Sequence, residues 1–465
     1  MLKPIELEKY MVYLSEALGH KDRHAGLADY CCGLMLPIER KSVEPLAANI
    51  SPYHVSSKHQ SLHHFVAKSD WSDSAVLKRV QEWVQRRMKS EEEVFWIVDD
   101  SGFPKKGKHS VGVARQYCGQ LGKQDNCQVA VSLSLATAMG SVPVAYRLYL
   151  PEVWASDMKR RKEAGVPAML KFSTKPQISL EQILRAKESG LTPGVVLADA
   201  GYGTDTAFRD EITGLGLTYC VGIQPTVSVW EPGMGPLPPL KTQGKKGRSA
   251  IRLRREPGHQ PISVKMLAEG LKGKDWHNVC WRDGSNGKMR SRFAAVRVRP
   301  AHRDERLKHP RIEEWLLIEW PEGEAEPAKY WFATLSTGTR LKDLVRTAKM
   351  RWRIERDYQE LKQEFGLGHY EGRGWRGFHH HATLCIAAYG FLMGQSLNAG
   401  GTKKNAARAK PSSLPEDYKP RGAGTRAAAC SRFDRNIEMF DRIQVGEIFA
   451  AMPVLCPALD KFVTQ

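Results

Sequence analysis

Apolar residues recur along the chain with two different periods, and the period changes divide it. In residues 1 to about 90, Ile5, Leu7, Tyr10, Met11, Leu14 and Leu18 fall at helical spacing, and further amphipathic stretches follow at 24–49 and 73–89. This predicts an N-terminal helical domain over 1–90. From Val94 the pattern becomes that of strands. The apolar run Val94–Val98 ends on Asp99-Asp100-Ser101-Gly102, where a turn is predicted, followed by a Gly- and Lys-rich loop with Lys105, Lys106 and Lys108. Cys127–Thr137 and Ser141–Leu150 read as hairpin strands about a turn at Met139-Gly140. A helix at Ser179–Ser189 leads to a short strand, 195–199, that ends on Asp199. A helix at 204–213 and a strand at 217–223 complete the segment. The order predicts an α/β fold, a mixed sheet flanked by helices with acids at two strand ends, over 91–223.

Residues 224–336 alternate in short strands, predicted at 250–255, 277–282, 291–299, 314–320 and 329–335. Helical periodicity returns in 337–399. One helix is predicted over 341–365, with Arg351, Glu355 and Lys362 within an arc of roughly 40° at about 3.6 residues per turn. Ile354, Tyr358, Leu361 and Phe365 form the neighbouring apolar stripe, so Glu355 is expected at the edge of a core, and Glu360 and Glu364 on the solvated far side. A surface i,i+4 pairing is the plainer meaning of these charges. His379-His380-His381 opens a second, buried helix. Three adjacent histidines do not face one metal, so polar packing or a phosphate contact is expected of them. Its apolar run, 382–393, is too short to span a bilayer. Residues 400 to about 429, with seven basic and two acidic residues, read as a linker, and the remainder to 465 as a small apolar tail.

Charge adds a partner. The 465 residues carry a formal net charge of +19, which makes a polyanion the first partner to consider. Residues 241–310 hold 19 Lys+Arg against 6 Asp+Glu, so much of the excess lies in the β-rich insertion, a plausible phosphate groove. Arg40, Lys41, Arg79, Arg86, Arg87 and Lys89 suit DNA contact by the helical domain, although a solvated face is the commoner meaning. Nine scattered cysteines without a CxxC pair point to reduced thiols in a cytosol; the expected location is cytoplasmic and nucleoid-associated. The charged N-terminus lacks the apolar segment of a signal peptide.

Two strand-end aspartates and a helix-borne glutamate in a basic protein suit phosphoryl transfer with two Mg²⁺ ions, which take hard oxygen ligands. Strand alternation puts Asp99 and Asp100 on opposite faces and leaves open which is the ligand. Residues 98–117 (VDDSGFPKKGKHSVGVARQY), 197–203 (LADAGYG) and the RWRIE-x6-K run over 351–362 resemble the DDE transposases of bacterial insertion sequences, in the group of insertion sequences four and seven-hundred-one. The resemblance spans about 94–395. It implies an RNase H-like core with a β-strand insertion before the catalytic helix, and Asp99, Asp199 and Glu355 as the catalytic, metal-binding triad. It also favours Asp99 over Asp100. Arg351, Lys362, Lys105, Lys106, Lys108 and Arg373 are the expected phosphate contacts. Trp352 stands where relatives hold a flipped base, though a packing role suits it equally. The tyrosine usual three residues before the arginine is Ala348 here.

The resulting expectation is a transposase that binds terminal inverted repeats, cuts DNA by hydrolysis and joins the 3′-hydroxyl to a target. Mg²⁺ is the expected cofactor, with Mn²⁺ able to substitute, and a homodimer is expected to bridge two ends. A nuclease of the same fold without strand transfer and a non-catalytic DNA-binding regulator are the alternatives.

Overall fold

The computed structural model describes residues 4–88, 92–239, 251–284 and 287–399. The predicted linker and tail over 400–465, Lys89 and the most basic part of the insertion lie outside the described residues.

Five helices come first: α1 (Pro4–Ser15), α2 (Arg23–Met35), α3 (Val43–Ile50), α4 (Val55–Ala67) and α5 (Asp73–Gln85). Strands β1 (Phe95–Pro104), β2 (Ala114–Cys118), β3 (Lys123–Ala136) and β4 (Ser141–Leu148) follow. Then come α6 (Glu152–Ala155), α7 (Met158–Glu163), α8 (Lys175–Glu188), β5 (Val195–Ala198), α9 (Ala200–Gly203), α10 (Thr206–Gly214) and β6 (Tyr219–Ile223). The insertion supplies β7 (Ser228–Trp230), β8 (Ile262–Ser263), α11 (Val264–Glu269), β9 (His277–Gly284), β10 (Gly287–Pro300), β11 (Glu314–Trp320) and β12 (Lys329–Ala333). The chain then enters α12 (Leu341–Lys349), α13 (Trp352–Gln363) and α14 (Trp375–Ala399).

The strands form one mixed sheet with helices against it, an RNase H-like arrangement. Its first half runs β4-β3-β1-β5-β6, with β5 parallel to both β1 and β6 and the other pairs antiparallel. The insertion continues this sheet. β12 pairs antiparallel with β6, from Tyr330 opposite Ile223 to Ala333 opposite Cys220, and β11 and β10 add beyond it. Long apolar runs such as Leu316-Leu317-Ile318 are buried on both sides, which is why this half alternates less than a one-sided sheet.

The boundary near residue 90 separates helices from strands without dividing the core. Tyr10, Tyr30, Leu62 and Val80 of the N-terminal helices share one buried cluster with sheet residues and with Leu384, Ile386 and Phe391 of α14. Tyr10 donates to the Ala387 carbonyl at 2.8 Å. α14 is apolar nearly all round because it is enclosed, and no described helix is long and apolar enough to cross a membrane. The seven described cysteines are free thiols, six of them buried.

Four expectations are corrected. β1 does not end at Asp99: its antiparallel pairing with β3 continues to Pro104 opposite Cys127, while its parallel pairing with β5 stops at Ile97. No strand forms at 251–255, where Arg254 makes only an isolated bridge to Leu237. The helix over 341–365 is two helices. Around Met350-Arg351 the hydrogen bonds tighten from i−4 to i−3, Met350 N to Thr347 O at 3.1 Å and Arg353 N to Met350 O at 3.0 Å. Finally, Glu360 is half-buried and bound to Arg356 Nε at 3.0 Å rather than solvated, and burial raises its pKa.

Candidate catalytic site

Register brings the two aspartates together. β1 and β5 pair with a constant offset, Phe95 with Val195, Trp96 with Val196 and Ile97 with Leu197. The paired ladder ends at Ile97 opposite Leu197, which leaves Asp99 and Asp199 each two residues beyond it on neighbouring strands, near enough for Asp199 to raise the Asp99 pKa. β5 stops at Ala198 because Asp199 turns the chain: its carboxylate accepts from Gly201 N at 2.8 Å and caps α9. α9 lies close on β6. A Cβ on Gly203 would stand 2.1 Å from the Gly222 carbonyl oxygen, so only glycine allows this turn to sit against the neighbouring strand.

Asp100, on the other face, is occupied structurally. It accepts from Lys175 Nζ at 2.5 Å and from the Tyr202 hydroxyl, tying β1 to the start of α8 and to α9. Asp99 faces α13 instead, and Arg351 donates to its Oδ1 at 3.0 Å. Burial pushes the Asp99 carboxyl up to about 6; Arg351 opposes this, and Asp199 and Asp100 add to it. Burial lowers the Arg351 pKa, but Asp99, Asp199 and Glu355 more than reverse that, and the net shift is upward. One guanidinium thus stands among three carboxylates and leaves an excess of two negative charges.

Glu355, in the first turn of α13, is exposed and faces a cavity of ≈ 1280 Å³ between the first half of the sheet and the insertion. Asp199, Arg351 and Trp352 line the same cavity. Arg282, Arg290, Lys329, Lys349, Arg353 and Arg356 give its wall a cationic excess. Ala348 also lines it. Among the described residues no three His, Cys, Asp or Glu side chains are near enough to one another to hold an ion. The acids around Arg351 are all carboxylates, the oxygen donor type that a hard divalent cation takes.

A sequence model described as "DDE superfamily endonuclease" matches residues 13–288, more than half of the chain. The chain belongs to this family. The matched segment contains Asp99 and Asp199; Glu355 lies beyond it. The chain is also 30% identical over 193 residues to a protein of Microchaete diplosiphon described as a probable transposase for insertion sequence element IS701. That similarity covers 41% of this chain and 47% of the relative, so it spans about half the length of either protein.

The remaining expected residues of this DDE family chain fall in several places. Lys362 reaches β1 from the end of α13. Its Nζ donates to the Gly102 carbonyl at 3.1 Å and lies 5.1 Å from the centre of the Phe103 ring. Burial lowers its pKa, against the pull of Cys118 and Asp99. Lys105 is half-buried and donates to Tyr370 O at 2.8 Å, whereas Lys106, Lys108 and Arg373 are exposed. The Trp352 ring is half-buried under the Arg282 guanidinium, 4.1 Å from its centre.

The three histidines are buried polar packing. His380 sets both ring nitrogens 2.9 Å from carbonyl oxygens, of Val66 and Trp71, and burial lowers its pKa to about 4. His381 joins Tyr30 at 2.9 Å and Gly366 O at 2.9 Å.

Sequence reasoning missed three features beside the site. They are the Tyr202 and Lys175 anchors on Asp100, the buried Asp357 bound by Tyr389 at 2.9 Å, and the buried Lys349–Glu319 pair. For the last, an acid closing the apolar run Trp315–Ile318 was the available signal.

Proposed function

We propose that this chain is the transposase of an insertion sequence, with Asp99, Asp199 and Glu355 as its catalytic carboxylates. The observation that supports the reading is the parallel pairing of β1 with β5 up to Ile97 opposite Leu197, two residues before Asp99 and Asp199, together with the Arg351 bond to Asp99. The same three carboxylates would hold two Mg²⁺ ions, or Mn²⁺ in their place, supplying charge to activate the attacking oxygen and stabilise the leaving one. The chain's own groups do the rest. Arg351 holds Asp99 in place and offers a guanidinium to the phosphate where negative charge develops. Lys362 contributes a second cation along β1, and Lys105, Lys106, Lys108 and Arg373 continue the basic surface.

In the first reaction a water oxygen attacks phosphorus and the 3′-oxygen leaves as the strand is cut. In the second, the freed 3′-hydroxyl attacks a target phosphodiester and the target's 3′-oxygen leaves. In this reading the N-terminal helices and the basic insertion grip the terminal inverted repeats. A homodimer bridges two ends in a cytoplasmic, nucleoid-associated complex.

The test is cleavage of a duplex carrying the element's terminal repeat, with Mg²⁺. Asp199→Ala and Glu355→Gln should each abolish cutting without loss of DNA binding; retained cutting would sink the assignment. Pre-cut ends offered with a target plasmid separate the transposase from a nuclease of the same fold, which joins nothing.

A further inference from the structure

Three segments distant in sequence are stitched into one surface beyond the end of β1. Arg160 of α7 donates to Lys108 O at 3.1 Å. Val111 N donates to Arg373 O at 3.0 Å, and Trp375 N donates to Ala164 O at 2.8 Å, closing the triangle between the 105–111 loop, α7 and the 370–376 turn. Lys105 adds a fourth tie through Tyr370 O. Arg160 serves the stitching, and Arg161 braces the α7 segment itself. The Arg160 guanidinium lies 3.8 Å from the centre of the Trp154 ring, and Arg161 is buried on the carbonyls of Ala155, Pro167 and Leu170. Arg376, in the 370–376 turn, is paired with Asp70 at 3.0 Å; five further cations of the three segments are exposed. Lys106, Lys108, Lys159, Lys162 and Arg373 are all exposed, and none forms an ion pair among the described residues. The neighbouring Glu371 is already paired with Arg40. Unpaired cations from three segments held on a fixed frame form a surface suited to a regular array of negative charge.

Position selects the array. Asp99, Phe103 and Lys105 share one face of β1 by alternation, and Lys362 lies over that face at Gly102 and Phe103. Six residues of strand at about 3.3 Å each put the patch about 20 Å from Asp99. That is the axial length of about six base pairs of duplex, at about 3.4 Å per phosphate of each strand.

We propose that the 105–110 loop, α7 and the 370–376 turn form a docking platform for duplex DNA flanking the reacting phosphate, with Lys106, Lys108, Lys159, Lys162 and Arg373 on its phosphates. The assignment of the flanking position rests on the catalytic reading of Asp99; the duplex-binding part does not. The experiment is equilibrium binding of the full chain to a 30-base-pair duplex in EDTA, from 50 to 300 mM NaCl. Wild type is compared with Lys108→Ala/Lys159→Ala/Lys162→Ala, and folding is checked by circular dichroism.

If the three lysines touch phosphates, the slope of log K against log salt becomes shallower by about 2 to 3, at about 0.9 per contact. Affinity at 150 mM salt falls at least tenfold. A slope change below 1, or an equal loss on single strands and duplex, overturns the platform. Because no cleavage is read, the platform can stand when Asp199→Ala still cuts DNA, and can fall when it does not.

Discussion

Lys349 closes α12 two residues before Arg351, and its ammonium lies 2.6 and 2.5 Å from the two oxygens of Glu319 on β11. Glu319 is 3% exposed and takes one further hydrogen bond, from Ser291 Oγ at 2.9 Å. The rings of Trp281, Trp331 and Phe293 wall the ammonium at 4.7, 5.3 and 5.6 Å. Burial lowers the lysine's pKa and Glu319 opposes the shift. Lys349→Met keeps most of the stem and leaves a buried carboxylate with one hydroxyl donor. Breaking such a pair from one side destabilises by about 3–5 kcal/mol, against about 0–1 kcal/mol for an exposed pair. Glu319→Gln leaves the ammonium on ring faces worth up to about 2 kcal/mol, so it should destabilise less. The double variant has no orphaned charge and should return to within about 2 kcal/mol of wild type, a coupling of about 2–4 kcal/mol. Urea unfolding followed by tryptophan fluorescence reads this with Trp281 and Trp331 in the cage itself. Because the pair is mostly buried at the cavity wall, with side chains 12% and 4% exposed, most of the coupling should persist in 1 M NaCl. A coupling below about 0.5 kcal/mol, or one that salt removes, refutes the reasoning.

Other parts of the fold give shorter tests. Burial raises Asp357 to about 8, so the folded chain keeps a proton that the unfolded chain releases near pH 4. The stabilising contribution is full below about pH 4 and is lost as pH rises through 8, at up to about 1.4 kcal/mol per pH unit. Asp357→Asn, which keeps an acceptor for Tyr389, should flatten that decline in unfolding measured at pH 5, 7 and 9; an unchanged slope contradicts it. Gly203→Ala should lower stability by about 2–3 kcal/mol through overpacking against Gly222 and Val221. Gly214→Ala, which meets nothing within 4 Å, should be neutral or stabilising, and thermal melts of the two variants read both. Asp100→Asn should weaken the fold by about 1–2 kcal/mol. Adding Tyr202→Phe to it should change little, and strict additivity of the two would contradict a shared anchor.

What the sequence revealed and what it hid follow from the range of the interactions involved. The existence of the strands carrying Asp99 and leading into Asp199 was legible because a local apolar run followed by an acid is a short-range signal, but the end of β1 was not, since it continues to Pro104. Nor was their register, because pairing between residues a hundred apart leaves no local trace. The interruption at Met350-Arg351 contains neither Pro nor Gly, and the apolar stripe runs through it unbroken, so periodicity read one helix where there are two. The strand expected at 250–255 shows the converse. Ile251 and Leu253 alternate correctly with arginines, but without a partner edge the described part closes only an isolated bridge. Glu360 was placed in solvent by the helical wheel alone, whereas its burial is decided by what packs on α13.

The two adjacent aspartates explain why β1 is built longer than its parallel neighbour. Strand alternation makes consecutive side chains address opposite layers, so Asp99-Asp100 can hold both layers from one point in the sheet. Asp100 fastens α8 and α9 through Lys175 and Tyr202, and the α9 turn in turn fixes where Asp199 leaves β5. Asp99 remains free to face Arg351 because β5 has ended and β3 alone continues the pairing. A strand that stopped at Val98 would leave the first carboxylate on a turn, with its direction set by loop geometry. Continued to Pro104, the same strand fixes Asp99 between Ile97 and Ser101 in the ladder and carries Lys105 to the basic surface beyond. The extra six residues of β1 thus place one carboxylate, anchor the turn that places the second, and extend the cationic face away from both.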